Sequence, residues 1–373
     1  MQYRQLGRTG LMVSELGMGL EHLLPKDEKT VTKTLRAAIE GGVNYLDCIS
    51  LLELPDDVTV NEDYVKLGKA LKGYRDQVRI TFLGYATRTV EYARADFARY
   101  LAALETDHTD VFIVACCDKP VEYEAATGSG SLLEYAKQLQ SEGKVKYIGF
   151  STHDTAIAHR AINSGAFDVL MYPINPAFDV LEEDGEDVLG SIWDAAKAYT
   201  SEGASGAQPR KSVYAACARA NVGLVAMKPF GGGFILGMGK DAGLTPLNLT
   251  AYALAQEGVS TVVPGCADAK EIKALLRYYT CRPKELDYSS AVAKSRWSIK
   301  GKCLYCGHCL PCPQGIDIPQ VNRLLDGNAA GDGRTACELA AACVKCGQCA
   351  KRCPFGVDVV GRMEQAGSVF VVD

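Results

Sequence analysis

No apolar run in this 373-residue chain approaches the length of a membrane span. Lys and Arg form no stripe, the net charge is −5, and the aromatic residues are not interleaved with cations. That balance argues against a nucleic-acid partner and against an anionic membrane surface. The opening Met1-Gln2-Tyr3-Arg4 is polar and has no apolar leader core. A reduced, cytoplasmic setting is the expectation. A dinucleotide fingerprint is missing too: Gly231-Gly232-Gly233 is not a Gly-x-Gly-x-x-Gly turn after an early strand. What remains is a 47 % apolar composition, ordinary for a folded chain, and enough length for one large domain and one small one.

Cysteine is the residue present in excess. Nine of the fifteen fall within 303–353, and eight of these form two runs. They read Cys303-x2-Cys306-x2-Cys309-x2-Cys312-Pro313 and Cys343-x2-Cys346-x2-Cys349-x3-Cys353-Pro354. Three cysteines at i, i+3 and i+6 wrap a loop around one corner of an iron–sulfur cube, and the fourth iron takes a distant thiolate. In two-cluster ferredoxins the last cysteine of each run serves the other cluster. By that rule one [4Fe-4S] cluster takes Cys303, Cys306, Cys309 and Cys353, and a second takes Cys343, Cys346, Cys349 and Cys312. Zinc sites would show separated Cys-x2-Cys pairs, and a disulfide framework suits this spacing less well. The first run departs from the ferredoxin pattern, with x2 rather than x3 before its Cys-Pro. A single cluster therefore stays open as an alternative, as does Cys337 substituting in a rearranged site.

The preceding residues alternate strand and helix. Apolar strands are expected at 16–20, 43–48, 78–83, 111–117, 145–151, 167–172, 223–228 and 259–263. Helices are expected at 28–41, 62–73, 89–105, 131–142, 153–164, 186–199, 211–220, 246–257 and 268–279, with a loop at 118–128 and a Ser/Gly/Ala-rich loop at 200–209. Continuous apolar strands indicate a parallel sheet buried on both faces. Eight such units in this length predict an α/β fold, a closed (β/α)8 TIM barrel. The expected domains are the barrel at 1–282, a connector at 283–300 and a small, mostly helical two-cluster ferredoxin-like domain at 301–373. Helices within it are expected at 317–328 and 334–342.

Several motifs resemble the aldo-keto reductases. They are Tyr3-Arg4-x-Leu6-Gly7-Arg8-Thr9-Gly10-Leu11, Gly41-Gly42-Val43-Asn44-Tyr45-Leu46-Asp47, Gly143-Lys144-Val145-Lys146-Tyr147-Ile148-Gly149-Phe150-Ser151 and Lys228-Pro229-Phe230-Gly231-Gly232. The branch with a C-terminal iron–sulfur domain resembles the whole chain. The resemblance implies a barrel binding NADP(H) across its C-terminal face. It also implies carbonyl reduction by hydride transfer, with a tyrosine acid assisted by lysine, aspartate and histidine. Asp47 matches the aspartate. The tyrosine position holds Leu52, the lysine position Leu83 and the histidine position Ala115. Tyr85 is the candidate substitute acid.

Gly149, Ser151 and Asn175 fit the nicotinamide side. The stretch Pro264-Gly265-Cys266-Ala267-Asp268-Ala269-Lys270-Glu271 lacks the arginine that would hold a 2′-phosphate, which counts against NADP(H). Other groups expected at the strand ends include Glu21, His22, Cys48, Cys116, Cys117, His153, Tyr172, Lys228 and Cys266. The histidines read first as loop residues bonded to backbone, and the cysteines as small buried hydrophobes. A buried Asp47 needs a partner, and Lys228 is the expected one.

These residues point to an iron–sulfur oxidoreductase. Its barrel takes a small organic substrate or a partner redox group, and single electrons arrive through the clusters. The alternatives are a divergent NADP(H) carbonyl reductase and a non-catalytic electron-relay or docking subunit. A redox partner protein or a second copy of the chain are the partners left open.

Overall fold

The structure is a computed structural model that describes residues 1–50, 54, 58–180, 210–238, 242–294, 301, 303, 305–326, 338 and 340–369. A short antiparallel hairpin, β1 (Tyr3–Gln5) with β2 (Met12–Ser14), opens the chain. Eight parallel strands follow: β3 (Met18–Gly19), β4 (Tyr45–Asp47), β5 (Arg79–Tyr85), β6 (Thr109–Ala115), β7 (Val145–Ser151), β8 (Val169–Pro173), β9 (Gly223–Met227) and β10 (Val259–Val262). They pair in sequence order from β3 to β10. The ring closes where Leu16 bridges Val262 and Gly19 bridges Gly265. There the Gly17 N–H donates to the Val262 carbonyl at 2.8 Å.

The two-residue period of a strand sends alternate side chains inward and outward. Tyr45, Leu83, Val111, Ile113, Ala115, Val169, Met171 and Val225 fill the barrel interior. Leu46, Phe82, Phe112, Val114, Phe150, Leu170 and Leu224 pack outward in the cluster shared with the helices. Burial on both faces is why the strands read as unbroken apolar runs. The hairpin floors the barrel with Leu6 and Val13. Gly7, at φ 51°, lies so close beneath β9 that a Cβ would sit 2.2 Å from the Gly223 nitrogen.

Three strand and loop boundaries differ from the sequence expectation in ways that matter for the mouth. β5 runs on to Tyr85, so this phenol stands on the strand end rather than two residues past it. β6 stops at Ala115 because Cys116 turns the chain at φ 58°. The expected loop at 118–128 contains the helix Pro120–Thr127, whose start is capped by Glu122 accepting from the Asp118 and Lys119 amides. Leu52, Cys337, the helix expected at 186–199 and the loop at 200–209 lie outside the described residues, as does most of the helix expected at 334–342.

The expected connector carries structure of its own, a 3-10 turn at Pro283–Leu286 and a helix at Tyr288–Lys294. The Tyr288 ring packs edge-on against Tyr252, 5.2 Å between centroids, on the barrel helix Pro246–Leu254. Beyond it come helices Ile318–Leu325, Gln348–Arg352 and Val359–Val369. Arg362 ties the last to the first through Asn322 and Asp326. No described helix is long and apolar enough to cross a membrane.

Candidate functional site: two cysteine cavities beside a barrel mouth

The eight cysteines divide between two cavities. One, of about 330 Å³ with its open mouth, is lined by Cys303, Cys306, Cys309 and Cys353. The other, of about 370 Å³, is lined by Cys312, Cys343, Cys346 and Cys349. Each takes three cysteines from one run and one from the other. The two Cys-x2-Cys-Gly loops share a backbone shape. Tyr305 and Gly307 stand at φ 53° and 78°, and Lys345 and Gly347 at 55° and 70°. Successive turns of this kind direct amide N–H groups into a concave nest suited to anionic sulfur. The Tyr305 N–H donates to Cys303 Sγ at 3.4 Å.

Burial pushes the Cys303 thiol up to about 11 and the Cys309 thiol up to about 12. Bare thiolates are therefore disfavoured here, and a metal core that compensates their charge reverses that balance. Among the described residues no three His, Cys, Asp or Glu side chains converge on one ion-sized point. The donor set, its four-per-cavity grouping and the amide nests fit multi-iron clusters.

At the C-terminal face of the barrel, β6, β7 and β9 deliver a polar chain. Asp118 lies just beyond β6. Its Oδ1 accepts from the His153 backbone N–H at 2.6 Å and from Thr152 Oγ1 at 3.0 Å, while its Oδ2 lies 3.0 Å from His153 Nδ1. On the other side of the ring, Lys228 Nζ lies 3.0 Å from His153 Nε2. Burial, helped by Lys228 and Arg210, holds the imidazole below its ordinary pKa. Burial opposes ionisation of Asp118, but the hydrogen bonds from His153 outweigh it and keep this carboxyl below the usual range. A neutral ring that donates from Nδ1 to Asp118 and accepts at Nε2 from Lys228 satisfies both ring nitrogens.

Lys228 sits at φ 51°, a backbone region disfavoured for a side-chain-bearing residue. Asn175 Nδ2 pins its carbonyl at 3.0 Å. Arg210 donates to the carbonyls of His153 and Pro173 at 3.2 and 2.9 Å and lies over the Tyr172 ring at 4.4 Å.

The expected Asp47 partner is different. Asp47 accepts from Thr81 Oγ1 at 3.0 Å. Burial raises its carboxyl to about 7, and the charge acting on it is that of Glu21. Lys228 is taken up by His153 instead. Tyr85 reaches the mouth and donates to the Ser50 carbonyl at 3.3 Å. Burial drives its phenol well above the ordinary value, which suits a packing residue better than an acid.

Gly149 is a mid-barrel packing position, where a Cβ would sit 3.2 Å from Val111. Ser151 is buried on β7, and the Asn175 amide is occupied by Lys228 and by the Phe178 N–H. Leu83 and Ala115 face the interior. Cys48 and Cys266 are buried and pushed up to about 12, Cys116 to about 11.

Three residues were missed from the sequence. Asp118 was detectable, since a carboxylate immediately after a strand end projects to the mouth. Arg210 and Lys211 gave no signal, because their roles depend on what folds against them.

A closed (β/α)8 barrel with its polar centre at the strand ends, carrying a module of two four-cysteine cavities, defines the class. Residues 15–185 match the Aldo/keto reductase family, and residues 302–358 match the 4Fe-4S dicluster domain. The chain thus carries an aldo/keto reductase domain followed by a 4Fe-4S dicluster domain. It is 26 % identical over 251 residues to "Probable aldo-keto reductase 1" of Glycine max, covering 63 % of this chain and 61 % of that protein. It is 26 % identical over 206 residues to "Aldo-keto reductase YhdN" of Bacillus subtilis (strain 168), covering 50 % and 56 %. The chain therefore spans less than two thirds of the length of these relatives. The fold is similar to that of the aldo-keto reductase AKR11C1 from Bacillus halodurans (holo form). That match has a TM-score of 0.53 at 20 % identity and covers 79 % of this chain and 96 % of that one.

Proposed function

We propose that the protein is an iron–sulfur oxidoreductase that reduces a small carbonyl-type substrate at the barrel mouth with electrons delivered singly. Cys303, Cys306, Cys309 and Cys353 would hold one [4Fe-4S] cluster, and Cys312, Cys343, Cys346 and Cys349 a second. Bound there, such clusters supply one-electron transfer. The observation that carries this reading is the sorting of the eight cysteines into two cavities of four.

At the mouth, the chain's own residues hold and move protons. Asp118 fixes the His153 tautomer, and His153 orients the Lys228 ammonium. The reduction takes two electrons, delivered one at a time, and two protons: Lys228 gives one proton to the oxygen that gains negative charge and is recharged from solvent, and the carbon takes the other from water. Leu83 and Ala115 provide no group for the hydride route, and NADP(H) has no part in this reading.

The test is single-turnover. The anaerobically purified chain is reduced with dithionite, freed of excess, and mixed with a series of aldehydes and 2-oxo acids. Recovery of the oxidised cluster absorbance with at least one of them, accompanied by the alcohol product, is expected. Full reduction with no reoxidation by any carbonyl would remove the enzymatic reading and favour an electron-relay subunit.

A further inference from the structure

Lys211 is a cation in an unusual place. It opens the barrel helix Lys211–Ala220, is 7 % exposed, and lies over the Tyr305 ring at 4.3 Å. Its Nζ is 3.5 Å from the Cys303 carbonyl, directly beside the first cysteine cavity. Among the described residues no carboxylate is within ion-pair reach of it. The two carboxylates whose charges act on it are already engaged. Asp179 accepts from Tyr214 and Tyr252 at 2.6 and 2.7 Å. Asp326 accepts from Tyr305 at 2.7 Å and pairs with Arg362. A buried ammonium without a countercharge is strongly disfavoured. A group carrying four thiolates, held by Cys303 and its three companions, would supply the missing negative charge.

The second cavity is different. Cys346 is exposed, and Val344 beside it is 59 % exposed. The cation of that loop, Lys345, is itself solvated and paired with Glu364. Arg352 lines the second cavity but donates to the Cys309 and Pro311 carbonyls at 2.7 and 2.8 Å, so it stands between the two cavities and acts on both. Lys211 is the buried cation that distinguishes them; Arg323, over the same Tyr305 ring at 5.1 Å, is only half-buried and donates to the Ala255 carbonyl. The neighbour of Lys211, Arg210, grips the barrel mouth through the His153 carbonyl, so one peptide unit joins the first cavity to the proton-handling site.

We propose that Lys211 is the buried countercharge of the first cluster and raises that cluster's reduction potential above the second's. An electron entering at the exposed second cluster then settles beside the barrel. In the step itself a one-electron donor protein is oxidised, the second cluster is transiently reduced, and the first ends reduced by one electron. No bond forms or breaks in that transfer. The inference rests on the two-cluster reading above.

The experiment is a potentiometric titration of the anaerobic full-length chain followed by electron paramagnetic resonance, with iron quantified on the same samples. The wild-type chain is expected to show two separated midpoints. In K211Q the more positive one falls and the other stays, while K211R stays close to wild type. A K211Q chain with full iron and unchanged midpoints overturns the proposal, as does a shift of the more negative midpoint instead. Coincident midpoints in the wild type overturn it without any variant. About four irons per chain, one cluster's worth, would sink the two-cluster reading instead. About eight irons with unmoved midpoints sinks only the role of Lys211.

Discussion

The cysteine module and the barrel mouth pose opposite problems for the same chain. In the module, chemistry is written in local spacing. Cys-x2-Cys-Gly recurs, both copies adopt the same pair of left-handed residues, and four thiols meet at each cavity. In the mouth, chemistry is assembled from residues far apart in sequence. Asp118, His153 and Lys228 follow three different strands, and their meeting depends on the barrel closing. A motif survives inspection by eye when its geometry is local. When it depends on convergence, it appears only with the fold.

That contrast can be broken at several points. The largest effect is expected from the ligand cysteines. Cys353→Ser should lose the same cluster as Cys303→Ser, and Cys312→Ser the same one as Cys346→Ser, each halving the iron from about eight per chain to about four. Iron analysis with paramagnetic resonance reads this. Losses that instead follow the two sequence runs would contradict the crossed grouping.

Next comes Lys228→Met, which should slow carbonyl-dependent cluster reoxidation by about 10²-fold or more while leaving dithionite reduction intact. Asp118→Asn should slow it less, and should move the pH profile downward, because the Asp118 charge that raises the His153 pKa is gone. Stopped-flow traces across pH 6–9 (about the range of interest for histidine) measure both.

A middle-sized effect is expected at the barrel floor. Gly7→Ala forces a Cβ into the Gly223 nitrogen at a left-handed position and should cost about 2 kcal/mol or more. Denaturant unfolding of the full chain gives the value.

The smallest concerns Asp47. Its folded pKa is raised to about 7, against an ordinary value of 3.8, because burial disfavours the carboxylate. A raised folded pKa means stability is present below the unfolded value and is lost as pH rises through about 7. Asp47→Asn should therefore match wild type near pH 4 and gain on the order of 1–3 kcal/mol above neutrality. A mutant that is equally stable at low pH and less stable above neutrality would show that the Asp47 carboxylate has a cationic partner.

Much of the barrel was legible because buried parallel strands are continuous apolar runs and helices follow each of them. β7 and the helix at Lys211–Ala220 fall where periodicity places them. The helix Pro120–Thr127 was hidden by its polar cap, and the end of β6 by a cysteine that takes a left-handed turn. At the site, Asp47 and Lys228 were singled out correctly as strand-end groups, but their pairing was not. Burial alone said that Asp47 needed a partner; only the fold reveals that Thr81 serves it while Lys228 turns to His153. Lys211 could not be read from sequence at all, because its meaning comes from a loop 92 positions away.

The central claim is that electrons reach this barrel singly through metal clusters and not as hydride. The most direct measurement is an anaerobic titration of the oxidised chain with NADPH, then with dithionite, watched at the cluster absorbance and by equilibrium binding of NADPH. The account predicts no bleaching and no saturable binding with NADPH, and full bleaching with dithionite. Stoichiometric NADPH binding followed by cluster reduction would contradict it.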